Sequence, residues 1–71
     1  MISERLKQLR KERRMSQSMV ARGINITDRS YQAYEYDEKR PSYEKLIALA
    51  ELFNCSTDYL LGRTDNPEVN K

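Results

Sequence analysis

The chain has 71 residues, 38 % of them hydrophobic and 34 % charged, with a mean hydropathy of −0.91, and so little chain builds one small soluble domain without room for a second core. It contains no apolar run of about 18 residues and no basic start followed by an apolar block, which excludes a membrane span and a secretory signal and points to the cytoplasm. Cys55 is the only cysteine and there is no histidine, so internal disulfides, thiolate metal sites and histidine-based catalysis are excluded, and neither a cofactor nor a metal is expected.

The net charge of +2 hides an asymmetry: residues 1–29 carry eight basic side chains against three acidic ones, and residues 30–71 carry five against eight. An anionic partner is therefore expected to meet the first part of the chain. Two glycines and two prolines supply too few turns for a β-sandwich or barrel, so the fold class is all-α.

Five short helices can be placed. The first spans about Glu4 to Arg13, capped by Ser3, with Leu6 and Leu9 inward and Arg5, Lys7, Lys11, Glu12 and Arg14 toward water. Ser16 supplies the next N-cap for a helix from Gln17 to Gly23, where Val20, Ala21 and Ile24 form the buried stripe. Asn25 stops it, since asparagine is the non-glycine residue that best tolerates a left-handed turn. Thr27 caps a third helix from Asp28 to Tyr36, with Asp28 placed for the helix dipole and Ile26, Tyr31 and Tyr34 inward. Its other side carries Asp28, Arg29, Ser30, Gln32 and Ala33, which have little reason to be there for packing. After a polar loop ending at Pro41, Ser42 caps a fourth helix that buries Leu46, Ile47, Leu49, Ala50 and Phe53 and ends at Asn54. Ser56 caps a last turn holding Tyr59, Leu60 and Leu61, stopped by Gly62. Residues 1–62 form the domain, and Arg63 to Lys71 form a flexible polar tail.

The segments MSQSMVARGINITDRSYQAYEYDEKRPS and LIALAELFNCSTDYLLGRTD resemble the Cro and phage-repressor (XRE) family of helix-turn-helix domains, without a gap from about Leu6 to Asp65. The matching elements are Arg10, Ser16-Gln17, Ala21, Glu35, Pro41-Ser42 and the ending Asp58-Tyr59-Leu60-Leu61-Gly62. The resemblance implies a compact five-helix, lambda-repressor-like DNA-binding domain whose third helix enters the major groove of double-stranded DNA. It puts base reading on Asp28, Arg29, Ser30, Gln32 and Ala33, with Arg29 foremost because a guanidinium can bond guanine N7 and O6 together. Phosphate contacts fall on Arg10, Ser16, Gln17, Tyr36, Lys39 and Arg40, and an ion pair between Arg10 and Glu35 positions the third helix. A homodimer is implied, formed through Ser56, Thr57, Asp58, Tyr59 and Leu61, with Cys55 a small core residue.

Two departures stand out. Gly23 lies within the second helix, which weakens it by up to about 1 kcal/mol relative to alanine, and Tyr36-Asp37-Glu38 puts bulk and two carboxylates where the family usually has Asn-Gly. The resulting expectation is a sequence-specific transcription regulator, a repressor binding a palindromic operator. The second reading is an interaction module, such as a DNA-binding antitoxin whose tail orders on a protein partner.

Overall fold

The computed structural model describes residues 2–68 and contains five helices: α1 (Ile2–Glu12), α2 (Gln17–Gly23), α3 (Asp28–Glu35), α4 (Tyr43–Leu52) and α5 (Thr57–Leu60). Four begin as the sequence indicates. Ser16, Thr27, Ser42 and Ser56 each accept, through the side-chain oxygen, the backbone N–H three residues on, satisfying a donor that the first helical turn otherwise leaves free. α1 is the exception. It already runs from Ile2, and Ser3 is a buried residue inside its first turn rather than the cap. Ile2 and Leu6 stand one helical turn apart on the same face, and packing Ile2 against the core carries the helix past Ser3.

Every helix ends in the same way. Arg14, Asn25, Asp37, Asn54 and Gly62 follow α1 to α5 in turn, all with positive φ between 51° and 76°. The residue after each donates its N–H to the carbonyl five positions back: Met15 to Arg10, Ile26 to Ala21, Glu38 to Ala33, Cys55 to Ala50 and Arg63 to Asp58, at 2.9 to 3.0 Å. This reversal satisfies the last carbonyls and turns the chain sharply, which is how five helices fit in so short a length. Left-handed asparagine and aspartate are tolerable, whereas Arg14 bears the full steric penalty.

α2 lies against α3, α1 crosses α3 and α5, and α4 packs on α5. Between them Leu6, Val20, Ala21, Tyr31, Leu49, Phe53 and Leu60 lose all contact with water. Ile26, Leu46 and Ile47 are only half-buried, so the inward stripe of α4 is narrower than its apolar sequence indicates. Cys55 is a core residue as anticipated, and burial pushes its thiol pKa up. The tyrosines divide: Tyr31, Tyr34 and Tyr59 are buried, while Tyr36 and Tyr43 stand in solvent.

Gly23 has a packing role. A Cβ there would come within 3.0 to 3.2 Å of the Leu52 methyls, so the residue that weakens α2 locally is the one that admits the side chain from α4. Residues 63–67 run back along the domain. Pro67 accepts the Ser56 N–H at 3.0 Å and Asp65 meets Arg5 at 3.7 Å, because the N–H of a helix cap needs an acceptor and the returning chain supplies one. Val69 and the rest of the tail lie outside the described residues. No described helix is long and apolar enough to cross a membrane.

Candidate nucleic-acid interface

α3 is held by its inner side and left open on its outer side. The buried side rests on Tyr31 and Tyr34, whose rings meet edge to face with centroids 6.3 Å apart. At the far end Glu35, whose side chain is fully buried, accepts Arg10 Nε at 2.6 Å and Arg10 Nη2 at 3.1 Å from α1, and Gln17 Nε2 at 3.1 Å from α2. A third N–H of Arg10 reaches the Met15 carbonyl at 3.1 Å, just before the α2 cap. Three helices thus meet on one carboxylate. Burial pushes the Glu35 carboxyl up, yet the hydrogen bonds from Arg10 and Gln17 outweigh it and hold the group below the ordinary glutamate value. The bonds to Glu35 raise the Arg10 pKa. The Tyr31 hydroxyl is buried beside this group without a hydrogen-bond partner of normal geometry among the described residues, and burial pushes its pKa far up.

This arrangement separates two roles that the sequence reading gave to Arg10. Its guanidinium is mostly buried and bonded to Glu35 and Met15, so the geometry fits Arg10 to the positioning pair. Gln17 also points its amide inward at Glu35, leaving its backbone N–H in the open first turn of α2 as the group that could face an anion. The Ser16 hydroxyl oxygen accepts the Met19 N–H at 3.1 Å, and its O–H donates to no described residue.

On the outer side of α3, Asp28 and Arg29 are exposed, and Ser30, Gln32 and Ala33 are half-exposed. Arg29 makes no hydrogen bond or ion pair among the described residues, whereas Ser30 is tied to Thr27, whose hydroxyl donates to the Ser30 hydroxyl at 2.9 Å. Asp28 accepts the Ser18 hydroxyl at 2.5 Å. In the loop that follows, Tyr36 is 58 % exposed, and Lys39 and Arg40 are open to solvent.

The dimer residues divide in the same way. Asp58 and Leu61 are exposed and Ser56 and Thr57 half-exposed, but Tyr59 is buried beneath Arg5, whose guanidinium carbon stands 3.9 Å from the ring centroid. That cation–π contact makes Tyr59 part of the monomer core. Beside these residues a groove of about 440 Å³ opens between α4 and α5, lined by Ile47, Ala50, Glu51 and Asn54 on one side and Ser56 to Asp58 on the other.

Sequence reasoning missed four contacts. Ser18 reaches Asp28, Arg5 covers Tyr59, the Arg13 guanidinium donates to the Phe53 carbonyl at the end of α4, and Lys45 Nζ donates to the Ile24 carbonyl at 3.1 Å. Helical periodicity marks all four as outward-facing, and only the tertiary crossing of the helices shows what each meets.

The comparisons agree with this geometry. A sequence model of the helix-turn-helix family matches residues 6–60. The uncharacterized HTH-type transcriptional regulator YobD of Bacillus subtilis (strain 168) is 43 % identical over 68 residues, covering 96 % of this chain and 61 % of that protein. A transcriptional regulator from Listeria innocua superposes with a TM-score of 0.83 at 35 % identity, over 87 % of this chain and 58 % of its own. The P22 c2 repressor protein in complex with synthetic operator 9T superposes with a TM-score of 0.81 at 28 % identity, over 84 % of this chain and 91 % of its own. The chain spans about six tenths of the length of curated relatives that it matches.

Proposed function

Because this chain belongs to the helix-turn-helix family, we propose that it is a sequence-specific DNA-binding regulator of transcription that represses by occupying an operator in the cytoplasm. The observation that carries the reading is the open outer side of α3, with Asp28 and Arg29 exposed at its start, on a helix locked to α1 and α2 through Glu35. A rod held in this way fits the major groove, which is about 12 Å wide. Arg29 is the free guanidinium at its leading turn. Paired with guanine N7 and O6 it supplies about 1 to 3 kcal/mol of discrimination, and the Ala33 methyl can meet a thymine methyl one turn later. The backbone N–H of Gln17, with Lys39, Arg40 and the Tyr36 hydroxyl, are the candidates for phosphate contacts, which set register and salt dependence without reading sequence.

Dimerisation on a two-fold symmetric operator is supported by the groove between α4 and α5. Its apolar floor of Ile47 and Ala50 is flanked by exposed Glu51, Asn54 and Asp58, a surface that a second copy can cover symmetrically. The alternative of a tail that orders only on a protein partner is less well supported, since residues 65–67 already bond to Arg5 and Ser56 within the chain.

Selection of bound duplexes from a random pool, repeated with Arg29→Ala, tests the reading. The expected result is a palindromic site, with preference lost at one symmetric base-pair position in the variant and a steep fall of affinity with salt. Binding that ignores sequence and salt overturns it.

A further inference from the structure

One side-chain bridge spans the turn between α2 and α3 and is left over when packing and capping are accounted for. The Ser18 hydroxyl, in the first turn of α2, donates to Asp28 Oδ2 in the first turn of α3 at 2.5 Å, the short end of the range for a hydroxyl on a carboxylate. Neither residue belongs to the hydrophobic core. The N-terminus of α3 is already capped by Thr27, so the helix does not need the bridge in order to start. A carboxylate on the outer side of α3 points toward a polyanion in any DNA complex, and phosphates repel it unless it finds donors. Ser18 provides one donor within the chain and thereby fixes the plane of the carboxylate. Oδ1 takes no hydrogen bond among the described residues and can only accept.

We infer that Ser18 is a specificity-determining positioning residue: by holding Asp28 Oδ2 it presents Oδ1 to the groove as a fixed acceptor, selecting a base with an exocyclic amine there and rejecting one with a carbonyl oxygen. In the major groove the amines are cytosine N4 and adenine N6, and the carbonyls are guanine O6 and thymine O4. Arg29, the adjacent residue, has the opposite requirement because it can only donate, so the leading turn of α3 reads neighbouring positions with opposite polarity. This inference rests on the DNA-reading role proposed above.

The test is selection from a random duplex pool on the intact chain with wild type, Ser18→Ala, Ser18→Thr and Asp28→Asn, alongside the thermal midpoint of each. Wild type should enrich cytosine or adenine at one symmetric position. Asp28→Asn, whose amide offers both a donor and an acceptor, should accept all four bases there. Ser18→Ala should cut the enrichment at that position by about threefold or more, equivalent to a fraction of one good base contact, while Ser18→Thr retains it and preferences elsewhere persist. If Ser18→Ala weakens all sequences equally with the base preferences unchanged, the bridge is only a brace and the inference is overturned. If wild type shows no base preference at any position, the DNA-reading role itself fails and takes the inference with it.

Discussion

Replacing Arg10 and Glu35 singly and together measures how firmly α3 is fixed. Arg10→Met leaves the Glu35 carboxylate, with 0 % of its side chain exposed, holding only the Gln17 amide. Stranding one member of a buried pair costs about 3 to 5 kcal/mol. Glu35→Gln is milder. The guanidinium is 15 % exposed and keeps its bond to Met15, but one of the three bonds to the carboxylate becomes a clash of donors and the others lose their charge, for a loss of about 2 to 3 kcal/mol. A domain of this size holds roughly 4 to 10 kcal/mol in total, so either variant should shift a urea midpoint plainly. Arg10→Met with Glu35→Leu removes both charges and the need to desolvate them, while Gln17, half-buried, can turn to water. The double variant should therefore be more stable than Arg10→Met alone, giving a coupling of about 2 kcal/mol or more. Urea unfolding followed by circular dichroism gives all four corners of the cycle. Strictly additive losses, or a Glu35→Gln variant within about 0.5 kcal/mol of wild type, are incompatible with a buried three-helix junction.

The same carboxylate should govern the acid limb of stability. Glu35 is held below its ordinary value of 4.5, so its contribution is complete above that pH and is lost as pH falls through the lowered folded value; Glu35→Gln should flatten this part of the profile of urea midpoint against pH. Arg14, with φ 55° on an exposed site, is the strained member of the five helix ends, and Arg14→Gly should stabilise by about 0.5 to 1 kcal/mol once glycine's unfolded-state entropy is deducted, or about 2 to 8 °C in a thermal scan. An unchanged or lower midpoint would show that Arg14 is unstrained or makes a contact worth more. Lys45→Met removes the ammonium that caps the Ile24 carbonyl at the end of α2 and should cost about 1 to 2 kcal/mol by chemical unfolding, with no loss if water takes over the carbonyl.

Local chemistry was legible where one residue type solves one local problem. Ser16, Thr27, Ser42 and Ser56 act as caps where they were expected to, and Asn25 and Asn54 adopt the left-handed turn, because a cap or a reversal is decided by the nearest few backbone groups. The outer side of α3 was legible for a related reason: its inward tyrosines are fixed by period, which puts Asp28, Arg29 and Gln32 on the other side and Glu35 on the buried one. Ser3 was misread because the pull of Ile2 on the core is tertiary. The burial of Tyr59 and of the Arg10 guanidinium was not legible, because the exposure of each depends on which helix crosses it. The contacts of Pro67 and Asp65 carry no periodic signal, and only the placement of Ser56 and Arg5 gives them partners.

The eight basic residues before position 30 do not all serve an anionic partner, and the way they divide sets the interface. Arg5 and Arg13 lie over the rings of Tyr59 and Phe53, and Arg10 sits on Glu35; these three tie α1 to α5, to the end of α4 and to α3. A domain too small to fix its helices by apolar burial alone uses long cationic side chains with apolar stems to do part of that work. Arg29 is not drawn inward in this way, because the outer side of α3 faces no other helix. The guanidinium of Arg10 fixes α3 at its last residue, and that of Arg29, at its second residue, stays in solvent.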